Sequence, residues 1–273
     1  TRVLKESPNM RVALNNMFNI LQRRLNRAIN DIDMDPSMRQ DAENVLRFQI
    51  SLVNALRSVD GLQNINLKIL SIKEMQKRSG KDSTTKGAYV SDTNINKNEV
   101  YLVDSMTSAL TTRVFLHEAT HMATTYGIRG LTNQELVQWS NIFQAAKQRA
   151  REQGVKDKDM GEAGLYYGLK NLKEFIAEAF SNPEFQQFLQ KTPSVLESQP
   201  SRGRFVSLFD DFVNAIKQML SLQTLDNTLL NDTINMSANL FSFGPRPAFG
   251  SIRAKIIQKR VDKIRRQNMK EDG

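Results

Sequence analysis

The two histidines of this 273-residue chain lie four residues apart in His117-Glu118-Ala119-Thr120-His121. The apolar pattern around them predicts a helix over residues 107–126 that ends at Gly127. Four residues are a little over one helical turn, so both imidazoles lie on one face and can bind one metal ion. Glu118 projects about 100° away and can reach a water molecule on that ion. The alternative is a helix whose histidines serve only packing or surface roles.

The absence of cysteine narrows the kinds of site that the chain can form. It excludes a disulfide scaffold, a thiol nucleophile, an iron–sulfur cluster and every zinc site with sulfur ligands. Catalytic zinc normally takes three protein ligands and a water, so with both histidines used the third ligand must be a carboxylate. A three-histidine metzincin site is excluded, because its glycine and third histidine would fall at Thr124 and Gly127. The downstream carboxylates include Glu135, Glu152, Asp157, Asp159, Glu162, Glu174, Glu178 and Glu184.

Glu174 and Glu178 are the informative pair among these carboxylates. Their spacing of four residues places them on one face of a predicted second helix, over residues 171–180, whose apolar side can pack in the core. Such a helix can offer one carboxylate to the metal and a second behind a histidine ring. Two alternatives stay open at this point: Glu174 can complete a capping box that begins at Asn171, and Glu178 can be an exposed helix carboxylate.

Residues 167–180 read Tyr-Gly-Leu-Lys-Asn-Leu-Lys-Glu-Phe-Ile-Ala-Glu-Ala-Phe. This segment resembles the active-site half of anthrax lethal factor-type zinc metallopeptidases. It is more similar still to metallopeptidase-like domains of bacteriophage-encoded large polyvalent proteins, where a continuation like Asn182-Pro-Glu-Phe185 also occurs. Residues 205–220 are similar to a helix that trails the motif in those phage proteins. The resemblance covers about residues 67–240 and places no family on residues 1–60 or 251–273.

The resemblance implies a zincin-like fold, a zinc ion and a role for each site residue. His117, His121 and Glu174 would be the zinc ligands, and Glu178 would support the site from behind. Tyr167 occupies the position of a tyrosine that in this family assists as proton donor or oxyanion stabiliser. Two alternatives stay open: the adjacent Tyr166 could fill that role, or either tyrosine could be a core aromatic residue. By analogy with the fold, the substrate would add a strand to the sheet edge at residues 87–91.

The order of the predicted elements, helices followed by a few strands and then more helices, favours an α+β fold with a small, mainly antiparallel sheet. Two amphipathic helices form an N-terminal helical hairpin in residues 1–61. Residues 62–200 hold the catalytic domain, with strands at 67–72, 88–91 and 100–103, the last two forming a β-hairpin. A helical extension follows over residues 201–241, with helices at 205–222 and 225–240. Residues 242–250 are a linker and residues 251–273 a basic amphipathic tail helix.

The net charge of +9 belongs to the two ends of the chain. Residues 1–30 and residues 251–273 each carry +5, so the body between them is close to neutral. The positive charge of the two ends favours a role in contacting DNA or an acidic partner, including other virion proteins. The alternative role for the tail is an amphipathic helix that packs on the body of the chain or on another subunit. Neither a membrane span nor a signal peptide is visible, and we expect the virion or the host cytoplasm as the location.

Two functions from different classes follow from these patterns. The first is a zinc-dependent endopeptidase in which Glu118 acts as general base and Tyr167 stabilises the oxyanion. Its substrate would be a phage protein, a host protein or its own precursor. The second is a virion-associated or ejected structural protein that retains a zincin-like domain. The general base favours the first function, because a structural domain has no physical need for Glu118.

Overall fold

The structure of the chain is a computed structural model. It describes residues 2–59, 65–79, 87–92, 97–104, 106, 108–161, 164–196, 213–217 and 226–241. The predicted helix over 205–222 is therefore described only at the helical residues 213–217. The predicted linker at 242–250 and the tail helix at 251–273 lie outside the described residues.

Two long helices pack against each other at the N-terminus, as the helical hairpin prediction requires. After the short helix α1 (Arg2–Lys5), α2 spans Met10–Asn30 and α3 spans Pro36–Arg57. The Asn9 side chain caps α2 by accepting a hydrogen bond from the Val12 amide at 3.0 Å. Each helix buries an apolar stripe in the common core.

The sheet has three strands in the order β1-β3-β2, with β1 at Asn66–Leu70, β2 at Gly87–Asp92 and β3 at Lys97–Val103. The predicted hairpin of β2 and β3 is confirmed, because these strands pair antiparallel. The prediction of a mainly antiparallel sheet is wrong, because β1 pairs parallel to β3. A parallel pair of strands requires a crossover connection, and the chain between β1 and β3 is long enough to form one. This connection includes β2, which runs antiparallel to β3.

A helix that the sequence analysis did not predict begins directly after β1. This helix, α4, spans Ile72–Ser79. The amide and hydroxyl of Ser71 donate to the Glu74 carboxylate at 2.9 and 2.7 Å, and the Glu74 amide donates back to the Ser71 hydroxyl at 3.3 Å. This reciprocal cap begins the helix, so the predicted strand over 67–72 ends earlier, at Leu70.

The helix that carries both histidines, α5, spans Ser108–Arg129 and continues through Gly127. The prediction that Gly127 ends this helix is wrong. A Cβ at Gly127 would lie 2.6 Å from the Cα and the carbonyl oxygen of Leu240, in the helix Leu229–Phe241 that we label α9. Gly127 is therefore required for the close approach of α5 and α9, and it does not terminate the helix.

Of the helices that follow α5 in the chain, α7 (Leu172–Ser181) and α9 pack directly against it. Helix α6 spans Asn133–Glu152 and begins with the predicted capping box of Thr132 and Glu135, which is confirmed. Helix α7 and helix α8, which spans Pro183–Gln190, follow two short 3₁₀ turns at Asp157–Asp159 and Leu165–Leu169. The architecture is thus α+β and mostly helical. Among the described residues, no helix is long and apolar enough to cross a membrane.

The contact at Gly127 gives a prediction about stability with a definite sign. An ordinary replacement of glycine by alanine inside a helix stabilises a protein by about 1 kcal/mol. Because the new methyl group would meet the Leu240 backbone, we expect Gly127→Ala to destabilise the protein by about 1–3 kcal/mol instead. Denaturant unfolding of both proteins measures the difference, and a stabilised variant would contradict the close packing of α5 and α9.

Candidate metal centre

The two histidines of α5 and one glutamate of α7 bring three ligand atoms together. The Nε2 atoms of His117 and His121 lie 3.0 Å apart. The Glu174 Oε2 atom lies 3.1 Å from the first and 3.0 Å from the second. The residues singled out as metal ligands in the sequence therefore converge on one point.

The spacing and chemistry of these atoms fit a bound divalent metal ion. A zinc ion about 2.0–2.2 Å from each of its ligands in tetrahedral geometry holds those ligand atoms roughly 3.3–3.5 Å apart. The three distances are only slightly shorter, so small side-chain adjustments would open the site to that spacing. Two imidazoles and one glutamate are also a known donor set of catalytic zinc.

The position of Glu174 decides between its two predicted roles. The Asn171 side chain caps α7 by accepting hydrogen bonds from the amides of Lys173 and Glu174, at 3.0 and 3.1 Å. Asn171 therefore satisfies the first turn of the helix, while the Glu174 carboxylate lies against the two histidines. The geometry favours the ligand role of Glu174 over the capping-box alternative.

Glu178 lies one turn further along α7, behind the ring of His117. Its Oε1 atom is 3.1 Å from His117 Nδ1, and its side chain is only 7% exposed, which excludes the exposed-carboxylate alternative. The Ser181 hydroxyl is 3.3 Å from the same nitrogen and donates its own proton to the Ala177 carbonyl. With acceptors at Nδ1, the neutral His117 ring would keep its proton on Nδ1, which leaves the lone pair of Nε2 for a metal ion.

The pKa values of the site reflect its excess of negative charge. Burial lowers the pKa of His117, but hydrogen bonds to Glu174 and Glu178 outweigh it and raise the pKa to about 10. Burial raises the pKa of Glu174, but hydrogen bonds from His117 and His121 hold it well below its usual range. Burial likewise raises the pKa of Glu178, and its hydrogen bond from His117 lowers it overall. The carboxylates therefore stay ionised at neutral pH, and their charge favours a cation at the Nε2 atoms of the two histidines.

Glu118 is buried on the side of α5 where the edge strand β2 begins. A Cβ at Gly87, the first residue of β2, would lie 2.9 Å from Glu118 Cγ and 3.1 Å from its Oε1 atom. It would also lie 2.5 Å from a methyl carbon of Val114, on the preceding turn of α5. Only glycine lets the strand approach the helix this closely, so the edge strand and the predicted general base are in direct contact.

The structure distinguishes the two adjacent tyrosines. The Tyr167 ring centroid lies 6.3 Å from that of His117. Burial, together with the charge of Glu174 and a hydrogen bond to it, raises the pKa of Tyr167 well above its usual range. The Tyr166 hydroxyl instead donates to Gln153 at 3.1 Å, outside the site. Tyr167 is thus the tyrosine that can take part in chemistry, and it remains protonated at neutral pH.

Four residues of the site were not identified from the sequence, namely Gly87, Arg113, Ser181 and Asn182. Helical spacing could have indicated three of them, because Arg113 precedes His117 by four residues, and Ser181 and Asn182 follow Glu178 by three and four. The Arg113 guanidinium lies 3.8 Å from Glu178 and its side chain is about half exposed. Gly87 carries no such periodic signal, since it acts through a contact between a strand and α5.

Comparisons with family models, curated proteins and solved structures found no match to this chain. The identification of the site therefore depends on its geometry and on the chemistry of its residues. Both are consistent with a single metal ion held by α5 and α7.

The raised pKa of His117 predicts proton release when a metal ion binds. Metal binding requires the neutral ring, and a group with a pKa of about 10 is protonated at pH 8. At pH 8 we therefore expect one proton from His117 and about one from the metal-bound water, so that close to two protons are released per ion. The apparent affinity should rise with pH up to about 10. Calorimetric titration with zinc in two buffers of different ionisation enthalpy measures the number of protons released. An unperturbed histidine would release almost none at pH 8 and leave only the proton of the water, so a value of one or less would contradict the prediction.

Proposed function

We propose that this chain is a zinc-dependent endopeptidase with a zincin-like active site. The observation that carries the proposal is the convergence of His117, His121 and Glu174, with the buried Glu118 on the same helix. A site built only for structural metal has no need of a further ionisable group next to its ligands. The contact between α5 and the edge strand β2, which begins at Gly87, supports the zincin-like arrangement.

Zinc bound to these ligands would supply Lewis acidity and make a water molecule acidic near neutral pH. Glu118 would accept the proton of the attacking water and transfer it to the leaving amine. The Tyr167 hydroxyl, which is protonated at neutral pH like any tyrosine, would donate a hydrogen bond to the developing oxyanion. Glu178 would hold the His117 ring in the orientation that its Nε2 atom needs.

The proposed substrate is an extended segment of a protein or peptide. In the described part of the sheet, β2 pairs with β3 alone, so its other edge can accept an added strand. That edge begins at Gly87, in contact with Glu118, which would place the backbone of such a strand close to the general base. A phage or host protein as the target, a location in the virion or host cytoplasm, and DNA contact by the basic ends stay proposals that rest on the sequence.

The role of Glu118 is tested by the variant Glu118→Gln. Loss of the proton acceptor should lower kcat for peptide cleavage by about 10²–10⁴-fold, while the zinc ligands and the zinc affinity are retained. Cleavage of a peptide library, together with metal analysis of the purified protein, measures both effects. Glu152→Gln, an exposed glutamate paired with Arg149, is the matched control and should leave activity unchanged. Full activity in Glu118→Gln would refute the mechanism, whereas zinc binding without any cleavage by wild type would favour the structural alternative.

The two tyrosines offer a matched pair of substitutions. Tyr167→Phe removes one hydroxyl beside the metal position and should lower kcat by about 10²–10³-fold with little change in KM. Tyr166→Phe removes the neighbouring hydroxyl, which bonds Gln153, and should leave kcat unchanged. Steady-state kinetics on a peptide cleaved by wild type compares them. Equal effects of the two substitutions would assign Tyr167 to packing and remove it from the mechanism.

A further inference from the structure

Asn182 connects α7 to α8 and is almost completely buried, at 1% exposure. It ends α7 and begins α8, and both halves of its side-chain amide have partners. The Oδ1 atom accepts a hydrogen bond from the Glu184 amide at 3.1 Å and so caps α8. The Nδ2 atom donates to Glu178 Oε2 at 2.6 Å.

The second of these hydrogen bonds leads directly to the metal centre. Glu178 uses Oε2 to bind Asn182 and Oε1 to bind His117 Nδ1, so the three side chains form a continuous chain of polar contacts. Arg113 also approaches Glu178 Oε2, but at 3.8 Å and from a side chain that is 49% exposed, where water screens its charge. Asn182 is thus the close, buried partner that fixes this carboxylate.

We propose that Asn182 is a positioning residue for the metal centre, which it orients through Glu178 and the His117 ring. This inference rests on the proposed metal site but not on peptidase activity. Groups behind a ligating histidine fix its orientation, and their loss typically weakens metal affinity about 10–100-fold. Asn182 is two contacts from the ligand, so we expect a loss near the lower end of that range. The competing explanation is that Asn182 serves only as a helix cap.

The substitution Asn182→Asp separates these two explanations. Aspartate caps helices as well as asparagine does, so the cap of α8 is kept. The amide donor, however, is replaced by a carboxylate oxygen that faces Glu178 and repels it. We expect the zinc dissociation constant of the full chain to rise about 10-fold, as measured by competition with a chromophoric chelator. Asn9→Asp makes the same change at the cap of α2, away from the metal centre, and should bind zinc like wild type.

Reversing the direction of the hydrogen bond between residues 178 and 182 should restore the zinc affinity. In the double variant Glu178→Gln with Asn182→Asp, the new amide nitrogen at position 178 can donate to the new carboxylate at position 182. The amide oxygen at position 178 can still accept from His117. We expect this variant to recover most of the zinc affinity that Asn182→Asp alone loses. Such recovery is expected only if Asn182 acts through residue 178. If Asn182 served only as a helix cap, exchanging the donor and the acceptor between residues 178 and 182 would have no effect on the zinc affinity.

Each outcome of the zinc titration has a definite meaning. Wild type that does not bind zinc would refute the proposed function itself. Wild type that binds zinc, with Asn182→Asp folded and equal in affinity, would overturn only the role of Asn182. If Asn182→Asp fails to fold, judged by its circular dichroism and denaturant midpoint, Asn182→Ser decides. Serine retains a capping oxygen, adds no charge and is too short to reach Glu178, so unchanged zinc affinity in that folded variant would likewise overturn the proposal.

Discussion

Three carboxylates and two imidazoles lie together where α5 packs against α7, and most of them are shielded from water. Removing charged groups from water is unfavourable unless an opposite charge or a set of hydrogen bonds compensates them. In this site Arg113 offsets part of the negative charge and the proton on His117 offsets another part. A divalent cation would replace that proton and complete the compensation, so the charges that are unfavourable in the metal-free site would favour the binding of a metal ion.

The surrounding fold serves to hold these two helices at a fixed separation. Glycine at position 127 lets α9 approach the end of α5, and the sheet supports α5 on another side. Asn171 at the start of α7 and Asn182 at its end satisfy the backbone at both termini. The glutamates of α7 therefore project from a helix whose position is determined at both ends. The Glu174 side chain needs little rearrangement to reach the metal position, and Glu178 stays behind the His117 ring.

Much of this arrangement could be predicted from local sequence, and the part that could not depends on distant residues. Helical periodicity and caps predicted α2, α3 and α6, and the spacing of Glu174 and Glu178 indicated their shared face. Gly127 was misread as a helix end because its neighbour, Leu240, lies more than a hundred residues away. The parallel pairing of β1 was missed for a similar reason, since strand direction depends on the crossover and not on the composition of the strand. Asn182 did have a local signal, its spacing of four residues from Glu178, but that spacing alone does not show that its side chain is buried and turned toward the carboxylate.

The contact between Gly87 and Glu118 has a consequence for how such a site could evolve. The backbone of the edge strand touches the carboxylate directly, so no side chain adjusts the distance between them. Further along the strand, side chains can be exchanged to suit a different partner while that distance is unchanged. In the proposed peptidase, selectivity would then reside along the strand and reactivity on α5, and new targets could be acquired without rebuilding the chemistry.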